Sequence, residues 1–207
     1  MIEHLYRSSR SWQIQFGFPA ELQFAAYVAR EGGLSPADKD DGEARRQWQA
    51  WWDKWVENRA QRTGAAQPQV DNHAWLTAGF RPPDFEELRE APALRRLFRQ
   101  RWPAFREGWA VPEGMKMQMA GALEQQLRRV KVKRLVDRQA KAMGLSKPSP
   151  FTLVVDFVHW PEDLVHERPG KYLLLGRGFL EASQADVLAA RLRTAVAGAL
   201  GHERPEE

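Results

Sequence analysis

Between Arg128 and Lys147 the chain carries eight cationic side chains (Arg128, Arg129, Lys131, Lys133, Arg134, Arg138, Lys141, Lys147) against one acid, Asp137. That density suits the binding of an anion, because each neutralised phosphate releases condensed counterions. At helical spacing Lys131, Arg134, Arg138 and Lys141 fall within about 80° of one another, opposite Val132, Leu135, Val136 and Met143. Arg95, Arg96, Arg99 and Arg101 form a second basic cluster upstream. The expected binding surface is therefore basic and helical, spanning about residues 89–147. Its named members are Arg95, Arg96, Arg99, Arg128, Lys131, Arg134, Arg138 and Lys141. The spacing predicts an anionic macromolecular partner. A protein, or a second copy of the chain, comes ahead of nucleic acid, because no nucleic-acid recognition motif accompanies the stripe.

A second pattern is Trp48-x-x-Trp51-Trp52-x-x-Trp55, whose i, i+3, i+4, i+7 spacing places four indoles on one helical stripe. Burying four such rings removes roughly 200 Å² each from water, on the order of 20 kcal/mol gross. The stripe is read as the core-facing side of a helix, with Arg45, Arg46, Gln49, Asp53 and Glu57 on the other side. An exposed fringe of it would extend the interaction surface.

Asp156 lies within an apolar stretch, with His159 and His166 nearby. A metal or acid–base site needs a carboxylate and imidazoles that converge. A strand sets Asp156 and His159 on opposite faces, so the carboxylate is expected to accept hydrogen bonds from an arginine or backbone amides. Gly176-Arg177-Gly178 follows a strand, but Glu181 occupies the third glycine position of a dinucleotide fingerprint and one helix alone follows. The glycines are expected to relieve a bulge or strand end. No GxSxG, GxxxxGK[ST], HExxH, SxxK or EF-hand pattern occurs. The expectation is a non-enzymatic protein with no catalytic residue, metal or cofactor to assign. An uncharacterised hydrolase or metal enzyme around Asp156 is the alternative.

Composition limits the remaining classes. The chain has 207 residues, 43% hydrophobic and 28% charged, with 15 Gly and 13 Pro, which excludes collagen, a disordered chain or a coiled-coil rod. Cysteine is absent, which removes disulfides, Cys-ligated metal and thiol nucleophiles. Neither an eighteen-residue apolar run nor a signal-peptide pattern is visible, so a cytoplasmic protein without membrane contact is expected. The net charge of +4 is unevenly distributed: residues 81–150 hold 16 Lys+Arg against 8 Asp+Glu, while the flanks are slightly acidic.

These groups need elements to hold them. Trp12, Ile14 and Phe16 alternate with polar residues and predict a half-buried strand over about 11–16. Pro19 suits the first turn of a helix that Gly32-Gly33 stops. A helix follows from Glu43 to about Arg62, and Asp84 with Glu87 has the form of a capping box. Residues 93–102 read as a helix that Pro103 bends or ends. Glu113 to Gly144 reads as one long helix whose apolar face changes direction near Val130-Lys131-Val132, each half burying against a different neighbour. Strands over about 151–160 and 171–179 are compatible with antiparallel pairing, the first of them interior. Ser183 caps a final amphipathic helix. The N-terminal strand cannot stand alone and should join the other two. The predicted fold is one α+β domain over 1–207, predominantly helical, with a three-strand sheet and a helical middle (about 43–145) inserted between its strands.

Overall fold

The computed structural model describes residues 4–7, 12–34, 42–62, 82–110, 113–159 and 163–201. The long connection over 64–83 is expected to pack something through Trp75, Leu76 and Phe80, and Ser35-Pro36 to begin a helical turn; Trp75, Leu76, Phe80 and that turn fall outside the described residues. The fold is α+β and predominantly helical. In chain order the elements are β1 (His4–Arg7), β2 (Trp12–Gly17), α1 (Ala20–Glu31), α2 (Glu43–Arg62), α3 (Pro92–Ala110), α4 (Glu113–Val130), α5 (Val132–Ala142), β3 (Phe151–Val158), β4 (Val165–Arg168), β5 (Tyr172–Gly176) and α6 (Ala185–Gly201). Among the described residues no helix is long and apolar enough to cross a membrane.

The chain divides into two compact units, one of residues 1–19, 59–65 and 114–207, the other of 20–58 and 66–113. The first unit is built on a sheet of five strands, ordered β1-β2-β3-β5-β4, where the sequence predicts three. β2 does join the C-terminal strands, and β3 is interior as expected. The expected antiparallel pairing of the two long C-terminal strands is corrected: β3 and β5 run parallel, and so do β2 and β3. The strand that reverses direction is β4, hidden in the Pro161–Gly170 connection, which pairs antiparallel with the far side of β5. β1 closes the other edge in the same way.

Strand alternation gives this sheet two unlike faces. Trp12, Ile14 and Phe16 of β2, Leu153, Val155 and Phe157 of β3, and Leu173 and Leu175 of β5 form one face, and all are buried. Over it pack Leu123 and Leu127 of α4, Val132, Leu135, Val136 and Ala140 of α5, and Leu188, Leu192 and Val196 of α6. Each such side chain contributes roughly 1.5–3 kcal/mol of gross transfer free energy. α6 lies close enough to the Pro169-Gly170 turn that a Cβ on Gly198 would meet the Gly170 nitrogen at 2.8 Å, so that position has room for glycine alone. The opposite face carries Gln13, Gln15 and Gly17, Thr152, Val154 and Asp156, Tyr172 and Leu174, and His166 and Arg168.

The long helix predicted over 113–144 is broken. Lys131 adopts the left-handed conformation (φ 54°, ψ 58°) between α4 and α5. No Gly or Pro marks the break; the left-handed residue turns two apolar faces that a straight helix would point apart onto one core, so Leu127 and Val132 with Val136 pack over the same sheet face, which corrects the expectation of different neighbours. Ser183 does not cap α6 directly but lies within a 3-10 turn, Ala182–Gln184, that precedes it. β5 ends at Gly176, and a 3-10 turn over Arg177–Leu180 follows, in keeping with the strand-end reading of the glycines.

The second unit is helical and aromatic. Phe24 of α1 contacts Phe85, Phe98, Trp102 and Phe105, with ring centroids 4.8–5.7 Å apart. Trp48 and Trp52 are buried and stacked at 5.1 Å, and Trp51 meets Phe98 edge-on at 5.4 Å. Trp51 and Trp55 are half-buried, so the stripe is core at two positions and a partly covered margin at the other two. Gln47 accepts the Leu94 amide at 3.0 Å, satisfying a free N–H in the first turn of α3. Arg101 donates to the Glu31 carbonyl at 3.0 Å, satisfying the last turn of α1.

Two expectations for this unit are corrected. Pro103 does not end α3, which continues to Ala110. Pro103 is exposed, so water can solvate the carbonyl whose hydrogen bond the ring removes. Asp84 and Glu87 form no capping box. Phe85 takes the left-handed conformation (φ 48°) with no side-chain cap, and a 3-10 turn over Glu86–Leu88 replaces the expected helix. Burying the Phe85 ring among Phe24, Phe98 and Trp102 outweighs the capping preference.

Candidate functional site

Asp156 sits near the carboxyl end of β3, the middle strand of three parallel ones, and is fully buried. Both oxygens of its carboxylate are engaged. Arg59, at the end of α2, donates from Nε to Oδ2 at 2.9 Å and from Nη2 to Oδ1 at 3.4 Å. The Tyr172 hydroxyl donates to Oδ2 at 3.0 Å. Gly17 stands beside it in the register, and a Cβ there would reach Oδ1 at 2.9 Å. Burial, then the Asp156 charge, pushes the Tyr172 phenol well above its ordinary value of 10.0, with Arg59 acting in the opposite sense. A carboxylate held by a guanidinium fork and a phenol is an anchor for the end of α2. This is the hydrogen-bonding arginine expected from the sequence. Arg59 itself is 97 residues away and carries no local signal of that role.

The His159 imidazole is engaged elsewhere, and His166 shares the Asp156 face two strands away on β4. His159 lies just beyond the strand end, with Nε2 2.7 Å from Arg177 Nη1. Among the described residues no group of three His, Cys, Asp or Glu is placed to hold a metal ion.

The basic residues divide by environment. On α5, Lys133, Arg134, Arg138 and Lys141 are exposed, as is Lys131 at its N-terminal boundary. None of the five forms an ion pair or side-chain hydrogen bond among the described residues. Asp137 is the one acid among them. The same helix turns Val132, Leu135, Val136 and Ala140 into the core, so the cations stand on a backbone fixed from beneath. Arg128 differs, because its guanidinium is paired with Glu124 one turn back at 2.5 Å. Arg129 donates to the Ala182 carbonyl at 2.9 Å and holds the turn before α6.

Arg95, Arg96 and Arg99 belong to the other compact unit. Arg95 donates from Nε to the Asp84 carbonyl at 2.8 Å and from Nη2 to Glu86 at 2.9 Å. Glu86 also accepts from Arg89. The Arg89 hydrogen bond first, then the charges of Arg95 and Arg89, lowers the Glu86 carboxyl below its ordinary value. Arg99 approaches Asp84 at 4.0 Å. Of these acids the sequence singles out Asp84 alone, as a member of a capping pattern with Glu87, and neither Asp84 nor Glu86 is read there as a partner of the arginines. No family model matches this sequence, and no curated protein or solved structure is significantly similar to it.

Proposed function

We propose that this chain is a non-enzymatic cytoplasmic binding protein, and that α5 with Lys131 docks on an acidic surface of a partner protein. One observation carries the reading: Lys131, Lys133, Arg134, Arg138 and Lys141 are exposed, close together and not engaged by any acid among the described residues. Exposed charges of this kind steer encounter and favour a complementary surface more than they stabilise a fold. The engagement of both Asp156 oxygens by Arg59 and Tyr172 supports leaving it out of any acid–base role. The α5 exterior has no aromatic side chain on which a base could stack, which favours a protein over single-stranded nucleic acid.

The test uses a fluorescent glutamate-rich peptide and the intact chain at low salt. Binding is expected, with affinity falling at least tenfold in the R134A/R138A/K141A variant and falling further with added salt. No binding, or equal binding by the variant, overturns the reading. Tighter binding of a duplex oligonucleotide, lost in the same variant with a steep salt dependence, replaces it with the nucleic-acid alternative.

A further inference from the structure

From a separate observation, in the second compact unit, we infer that the arginine groove of α3 is a site for a small polyvalent phosphate anion. Arg89, Pro92, Arg95, Arg96, Arg99 and Gln100 line an open groove of about 540 Å³. Four of those six residues carry a guanidinium. Glu86 and Asp84 hold Arg89, Arg95 and Arg99 in place, and Glu90 adds its charge beside Arg89, while Arg96 is left outside these pairs. Glu86 takes Arg89 on Oε2 and Arg95 on Oε1. The Asp84 carbonyl takes Arg95 Nε, and its carboxylate stands 4.0 Å from Arg99. Three carboxylates, Asp84, Glu86 and Glu90 beside Arg89, against four guanidiniums leave a residual positive charge of +1 around the groove.

Position and charge agree on the ligand class. Arg95 is pinned through Nε and Nη2, so its other terminal nitrogen is presented from a fixed fork. Arg96 is exposed, with no partner among the described residues. Arg95 with Arg99 and Arg96 with Arg99 are like charges at i, i+4 and i, i+3, an arrangement that repels until an anion lies between them. Planar guanidinium forks match phosphate oxygens two at a time. The groove falls within the roughly 300–1,000 Å³ of ordinary ligand sites. Its lining contains no aromatic ring, so it offers contacts to a phosphate chain and none to a nucleobase.

Calorimetric titration of the intact chain with tripolyphosphate at low salt tests the assignment. Tripolyphosphate is expected to bind, inorganic phosphate at least tenfold more weakly. R96A/R99A, matched to the parent in melting temperature, should lose at least tenfold in affinity for tripolyphosphate. R134A/R138A/K141A should stay within twofold of the parent, which separates this site from the α5 surface. No binding, unchanged binding by R96A/R99A, or equal losses in both variants overturns the site. Binding of an oligonucleotide but not of tripolyphosphate, abolished by R96A/R99A, reassigns the groove to nucleic acid and overturns it as well.

Discussion

Replacing Asp156 with asparagine keeps the shape of the side chain and removes its charge. In the parent the carboxylate is fully buried, and the Arg59 side chain is 13% exposed. The substitution turns one acceptor oxygen into an NH2 group facing an Arg59 donor, and facing the Tyr172 hydroxyl as well where it replaces Oδ2. Breaking a buried ion pair by removing one partner costs about 3–5 kcal/mol, because the other charge is stranded. The partial exposure of Arg59 lets water recover some of this, so about 3 kcal/mol is expected for D156N. Adding R59M removes the stranded cation, while the new amide oxygen still accepts from Tyr172. The double variant should therefore be about 1–2 kcal/mol more stable than D156N. Urea unfolding at pH 7, followed by circular dichroism and by amide hydrogen exchange in β3 and β5, measures each term at the sheet. A D156N variant within 0.5 kcal/mol of the parent, or strict additivity in the cycle, would refute the anchor and reopen Asp156 as a reactive group.

Two other outcomes follow from named residues. K131G should stabilise the protein by about 0.5–1 kcal/mol in urea unfolding, since left-handed geometry costs a non-glycine residue about 1–2 kcal/mol and glycine returns part of that through unfolded-state entropy. K131A, equally strained, should stay within about 0.5 kcal/mol of the parent, and a destabilised K131G would count against the strain. Y172F should cost about 1.5–3 kcal/mol for the lost bond to a charged acceptor. Because the folded-state phenol titrates above the ordinary 10.0, its contribution is fully present below pH 10 and is lost as pH rises toward the folded value, so Y172F should flatten the alkaline loss of stability.

What could be read in advance was what repeats locally. Trp12, Ile14 and Phe16 alternate, and β2 is where they place it. Val132, Leu135, Val136 and Met143 share a helical face; the first three are buried beneath exposed cations, and Met143 is partly buried against the same core. Contacts distant in sequence were not legible. Arg59 reaches Asp156 through tertiary structure alone, and nothing near either residue announces the other. Glu86 meets Arg95 because Phe85 turns left-handed to bury its ring, which a capping pattern at Asp84 does not encode. β1 and β4 are four residues each, edge strands too short for alternation to stand out. The change of apolar direction near Lys131 was visible, but whether the backbone or the neighbours would absorb it depended on the core beneath both halves.

The unlike faces of the sheet have a consequence for how it assembles. If β3 paired with its neighbours one position out of step, Thr152 and Asp156 would be thrust beneath α4, α5 and α6, while Leu153, Val155 and Phe157 would turn away from them. Asp156 would then be stranded in hydrocarbon without Arg59 or Tyr172, a cost of several kcal/mol that no misaligned pairing recovers. The buried charge thus acts as a checkpoint on strand alignment, rejecting wrong pairings that a wholly aliphatic strand would tolerate.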